Sequence, residues 1–157
     1  MKERKPTLCV VAGPNGSGKT TTTVQLLNNE WAADSIYINP DNIAQDIFGD
    51  WNSPEAVLKA AAEATRLRYD CLENGRDFVF ETVFSSPEKL EFLRKVKDAG
   101  YFIRLFYVCT SDPAINVARI TQRYMNGGHE VPIRSTDGQL FKQYTNDIPQ
   151  WAMTILR

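Results

Sequence analysis

At 157 residues, with 18 Lys and Arg against 19 Asp and Glu and an isoelectric point near 5.9, the chain is sized for one domain and carries no overall field that would gather nucleic acid or an acidic membrane surface. No apolar run approaches a membrane span, and the charged start Met1-Lys-Glu-Arg-Lys5 leads into a strand-like run rather than a signal-peptide core. Repeats, low-complexity segments and dividing linkers are absent, so the expectation is a single cytoplasmic domain over 1–157 whose phosphate binding is local. The three cysteines, Cys9, Cys71 and Cys109, are an odd set without C-x-x-C spacing; Cys9 and Cys109 sit in apolar runs and read as small core residues.

Thr7 to Ala12 is an apolar, β-branched run short enough to be a buried strand. Gly13-Pro-Asn-Gly-Ser-Gly-Lys-Thr20 follows at once and fits G-x-x-x-x-G-K-[ST] at Gly13, Gly18, Lys19 and Thr20. Thr20 to Asn29 can be helical, so the motif stands between a strand and a helix, where a triphosphate site needs it. Glycines let the backbone wrap a polyphosphate, with successive N–H groups and the helix N-terminus aimed at anionic oxygens. Lys19 would reach the β- and γ-phosphates, and the Thr20 hydroxyl would complete the shell of Mg²⁺, a small cation that takes oxygen ligands and keeps several waters. The expected ATP·Mg²⁺ site is therefore Gly13, Pro14, Asn15, Gly16, Ser17, Gly18, Lys19, Thr20 and Thr21, with Thr20 as the metal ligand.

Ser35 to Ile38 reads as a second strand, followed by Asn39-Pro40-Asp41 and a helical stretch from Ile43 to Phe48. Asp41 would face the crevice beyond the strand ends, where open α/β sheets bind ligands; spacing alone serves equally well for a helix N-cap. Ser53-Pro54-Glu55 opens a long helix to Glu73, closed by Asn74-Gly75. Ala56, Ala60 and Ala64 give that helix a slim face for packing on a sheet, and Arg66 and Arg68 read as solvated.

Asp77 to Thr82 is the third strand, with Glu81 and Thr82 at its end. Glu81 could hold Mg²⁺ through water or grip a substrate hydroxyl, or it could be an exposed strand-end charge. A helix from Ser86-Pro87-Glu88 to Ala99 and a strand from Tyr101 to Cys109 follow. The alternation of strand and helix predicts an α/β fold of three layers, α/β/α, with a mostly parallel sheet, as in P-loop NTPases of the nucleotide-kinase type. Asp112-Pro113 opens a helix to Met125 on which Arg119 and Arg123 lie at i and i+4; they invite a polyphosphate or mark a solvated face. Gly127-Gly128-His129-Glu130-Val131-Pro132 reads as a Gly-hinged lid over bound nucleotide, and His129 alone as a loop hydrogen-bonder.

Gly13-Pro-Asn-Gly-Ser-Gly-Lys-Thr20, Asn39-Pro-Asp41, Phe80-Glu-Thr82 and Arg123-Tyr-Met-Asn-Gly-Gly-His-Glu-Val-Pro132 together resemble the zeta-toxin family of P-loop kinases, over about Thr7 to Ile133. The resemblance implies phosphoryl transfer from ATP to a hydroxyl of a small molecule, the 3′-hydroxyl of UDP-N-acetylglucosamine in better-known members, with an antitoxin protein as a partner; the charge balance and the lack of an apolar span add the expectation of no nucleic-acid or membrane partner. It implies that Lys19 and Thr20 hold ATP·Mg²⁺, Asp41 takes the proton from the attacking hydroxyl, Glu81 and Thr82 position the substrate, and Arg123 neutralises the transferring group. After the lid at about 124–134 the sequence departs from the family pattern: a segment is missing between Ile133 and Arg134, and with it a second lid arginine. A nucleotide-binding module without turnover and a P-loop kinase of another substrate are the competing functions.

Overall fold

The computed structural model describes residues 4–49, 52–83 and 86–126. The elements in chain order are β1 (Thr7–Ala12), α1 (Lys19–Leu27), β2 (Ile36–Ile38), α2 (Pro40–Phe48), α3 (Pro54–Glu73), β3 (Phe78–Thr82), α4 (Pro87–Asp98), β4 (Phe102–Tyr107) and α5 (Pro113–Met125). The four strands form one parallel sheet in the order β2-β3-β1-β4. Burial explains the run of apolar residues in β1: with helices on both faces neither side of the strand meets water, and Leu8 to Ala12 are all buried. The α/β expectation therefore holds.

The two cores differ in kind. On one face Phe78, Phe80, Phe92 and Tyr101 join Leu8, Val10, Ile38 and Ala64 beneath α3 and α4. Phe92 meets Phe78 and Phe80 edge-on at 6.2 and 6.0 Å between centroids, geometry worth about 0.5–1.5 kcal/mol per pair beyond the area buried. On the other face Cys9, Val11 and Val79 pack with Leu26 of α1. Register brings the business ends level: Val11 pairs with Glu81 and Ala12 with Thr82, so β1 and β3 finish together.

Several boundaries differ from the sequence reading, each for a local reason. α2 starts at Pro40, one turn before the expected Ile43, because Asn39 accepts a hydrogen bond from the Asp41 amide and Pro40 occupies the first helical position. The cap alternative for Asp41 thus falls. β4 stops at Tyr107, which leaves Cys109 exposed outside the strand, whereas Cys71 of α3 is buried. Arg68, read as solvated, is 5% exposed. It continues the four-residue spacing of Ala56, Ala60 and Ala64 along the buried stripe of α3. Arg66 is exposed and pairs with Glu63.

Candidate functional site

The loop between β1 and α1 is fixed by close approach of its backbone to the neighbouring segments. The Gly13 amide donates to the Thr82 carbonyl at 3.2 Å, and the Val108 amide donates to the Ala12 carbonyl at 2.7 Å. Gly16 has φ +79° and lies against the Asn116 carbonyl of α5, where a Cβ would collide. Gly13 is similarly blocked by the Val108 carbonyl. The glycine pattern of the motif is therefore a packing requirement as well as a conformational one.

α1 begins after Gly18, at φ +100°, with no side-chain cap and no acidic residue in its first turn. α2 and α3, by contrast, are capped by Asn39 and Ser53. The first amides of α1 are left without a side-chain acceptor, the condition in which a helix N-terminus takes an anion. The buried Ser17 hydroxyl has no hydrogen-bond partner. Pro14 is buried, Asn15 partly so, and Thr21 is exposed on α1.

Lys19 donates from Nζ to the Pro14 carbonyl at 3.0 Å. Burial pushes its amine down to about 8; the Glu81 and Asp41 carboxylates counter that, and the Arg123 guanidinium adds to it. Three separate elements, β3, α2 and α5, thus bring charge to bear on one lysine. Arg119 comes closer to the loop, donating from Nη1 to the Gly16 carbonyl at 3.1 Å.

Glu81 is held from both sides. One carboxylate oxygen accepts from the Thr20 hydroxyl at 3.0 Å, the other from the Tyr37 hydroxyl at 2.6 Å, and Asn39 Nδ2 donates to the Tyr37 oxygen at 2.9 Å. Burial and the bond to Glu81 keep the Tyr37 phenol protonated, so it serves as a donor. Neither Tyr37 nor Asn39 figured among the expected site residues. The available signal was strand alternation, which puts Tyr37 of β2 on the same face as its partner Val79 and as Glu81.

Asp41 lies exposed in the first turn of α2, its side chain not used as a cap. Thr82 is buried and, two residues from Phe80, shares the opposite face of β3 from Glu81. Thr20 bonds to Glu81 near the carboxyl end of β3, and Lys19 feels the charges of Glu81, Asp41 and Arg123; Thr82 lies on the other face of β3. His129, Arg134, most of the lid at 124–134 and the junction of Ile133 with Arg134 lie outside the described residues.

The model of the zeta toxin family matches residues 1–155. The chain belongs to the zeta toxin family. An uncharacterised protein of Haemophilus influenzae is 31% identical over 117 residues, spanning 74% of this chain and 80% of that one. Among solved structures, a candidate kinase of Chloroflexus aurantiacus superposes with a TM-score of 0.62 at 20% identity, covering 79% of this chain and 69% of that one. A structure from the PezAT chromosomal toxin-antitoxin system of Streptococcus pneumoniae gives the same TM-score, 0.62, at 16% identity, covering 82% of this chain and 58% of that one. As a member of this family the chain has the P-loop kinase-like fold.

Proposed function

We propose that the chain is an ATP-dependent phosphotransferase that moves the γ-phosphate to a hydroxyl of a small molecule, with a nucleotide sugar of the UDP-N-acetylglucosamine type as acceptor. The observation that carries this reading is Lys19: a desolvated amine at the head of an uncapped helix, under the influence of two carboxylates and a guanidinium from three other elements. The orphaned Ser17 hydroxyl and the unclaimed amides of α1 suit a polyphosphate, and the touching oxygens of Thr20 and Glu81 suit a hard cation. ATP·Mg²⁺ supplies the transferable phosphoryl group and much of the charge neutralisation.

The chain's own residues then have little covalent work and much positioning. The loop amides and Lys19 fix the β- and γ-phosphates, while Arg119 and Arg123 offset charge on the transferring oxygens. Glu81, braced by Tyr37, fixes the Thr20 hydroxyl, which would be a ligand of Mg²⁺, and presents an oxygen to the acceptor. Asp41, free of capping duty, accepts the proton of the attacking hydroxyl, and Thr82 lines the acceptor side. The toxin-antitoxin setting of the pneumococcal neighbour supports an antitoxin protein as partner.

Transfer from labelled ATP across a panel of nucleotide sugars and free sugars tests the reading. The expected result is label in a nucleotide sugar, dependent on Mg²⁺. ATP binding with no labelled acceptor would instead make the chain a nucleotide-binding module.

A further inference from the structure

The side chain of Asn39 is used at both ends. Its Oδ1 accepts from the Asp41 amide at 2.9 Å and so caps α2, while its Nδ2 donates to the Tyr37 hydroxyl oxygen at 2.9 Å. Chemistry settles which end is which: a backbone N–H can only donate, so the atom it meets is the carbonyl oxygen and the other is the amino group. Tyr37 therefore receives a proton from Asn39 and gives its own to Glu81, at 2.6 Å. The second Glu81 oxygen accepts from the Thr20 hydroxyl at 3.0 Å, and a hydroxyl that donates this way still offers its oxygen lone pairs to a cation. An unbroken chain of hydrogen bonds thus runs from the Asp41 amide through Asn39, Tyr37 and Glu81 to Thr20.

Capping and packing do not require this arrangement. A serine is enough to cap α3, and an aspartate caps as well as an asparagine, but an ionised aspartate could not donate to Tyr37. A phenylalanine at position 37 would keep the packing against Cys9, Val11 and Val79 and would bring no hydroxyl in need of partners. The place suits a tie between two parts of a site. Asn39 is buried and follows Ile38, the last residue of β2, while Glu81 follows Phe80, the partner of Ile38 on β3. Bonds to a carboxylate are the stronger kind, and bonds in series polarise one another, so losing one member loosens the rest.

We propose that Tyr37 and Asn39 are positioning residues that tie the Thr20–Glu81 pair, the place for Mg²⁺, to the first turn of α2, which carries Asp41. Both act through another group, Tyr37 through Glu81 and Asn39 through Tyr37 and the Asp41 amide. The consequence for transfer rests on the phosphotransferase reading; the tie between the cation's place and α2 does not. Such a coupling is reciprocal, so a change at Asn39, whose two polar ends are already taken, alters how much Mg²⁺ strengthens ATP binding.

Tyr37→Phe and Asn39→Asp, alone and combined, test it by calorimetry of ATP binding with and without Mg²⁺, beside thermal midpoints and initial rates of transfer. Asn39→Asp keeps the acceptor for the Asp41 amide, so its midpoint should stay near that of the parent chain. ATP affinity without Mg²⁺ should also be unchanged, whereas the gain on adding Mg²⁺ should shrink by about tenfold, as when a hydrogen-bond partner of a metal ligand is removed. By charge alone an added carboxylate would strengthen Mg²⁺ binding, so the expected loss has the opposite sign. kcat should fall by about tenfold with little change in acceptor KM, and the double variant should lose no more than the worse single variant, since the second change acts on a link already broken. Should Tyr37→Phe fail to fold, Asn39→Asp decides the matter alone. A Mg²⁺ gain in Asn39→Asp equal to or above the parent's, or losses that add in the double variant, overturns the proposal and leaves Asn39 a helix cap. The two readings fail separately: no transfer to any acceptor, with the Mg²⁺ gain lost in Asn39→Asp, defeats the kinase and keeps the tie, whereas full transfer with an unaltered gain in the same variant defeats the tie and keeps the kinase.

Discussion

The two faces of β3 each hold a buried or half-buried cation, and the two are held in opposite ways. On the α1 side Lys19 is surrounded by function: a loop built of close-packed glycines, a carbonyl partner, and the carboxylates of Glu81 and Asp41 to offset its burial. On the α3–α4 side Arg68 is surrounded by packing: two phenylalanine rings, one threonine hydroxyl, and a distant exposed carboxylate. The burial of Lys19 is offset by carboxylates, that of Arg68 by ring faces and one hydroxyl. A loop shaped by its backbone needs particular residues at fixed spacing and so leaves a motif, whereas Arg68 leaves only a charge at a helix-stripe position where an apolar residue was due.

Changes on the α1 side should have the larger consequences. Lys19→Ala removes the cation at the transferring phosphate and should abolish measurable transfer and weaken ATP binding; unchanged affinity and activity would erase the distinction between the two cations. Gly16→Ala comes next: with φ +79° and the Asn116 carbonyl in the way of a Cβ, strain of about 1–3 kcal/mol should lower the thermal midpoint, while a midpoint equal to the parent would mean the loop is not clamped by α5. The smallest effect is on pH. Lys19 titrates near 8 in the folded chain against its ordinary 10.5, so between those values the unfolded chain binds more protons and the ligand-free fold gains stability as pH rises. Phosphates favour the charged amine, so ATP affinity should hold below about pH 8 and fall above it by at most about tenfold per unit. Calorimetry in buffers of different ionisation enthalpy should show proton uptake on binding near that pH, and none would place the amine elsewhere.

The fold was legible because its signals repeat: apolar runs bounded by Ser-Pro, Asn-Gly and Asp-Pro, alternating strand with helix, admit few arrangements besides a covered parallel sheet. The turn between β1 and α1 was legible from its glycines, since a side chain at Gly13 or Gly16 would collide with the Val108 or Asn116 carbonyl. Asn39 and Tyr37 were not, because their roles arise only when β2 is laid beside β3 and Glu81 comes within reach. Asp41 was readable in place but ambiguous in duty until Asn39 took the cap. Arg68 was misread on residue type, although its position four after Ala64 continued the very stripe that had been recognised as buried.

The central claim is that Asp41 is a base facing a loaded P-loop rather than a structural residue of α2. Asp41→Asn, assayed for ATP affinity, thermal midpoint and initial rate of phosphoryl transfer in one preparation, tests it most directly. The account predicts affinity and midpoint near those of the parent with transfer reduced by roughly 10²- to 10⁴-fold, the usual worth of a positioned base. Full-rate transfer by the variant would contradict it.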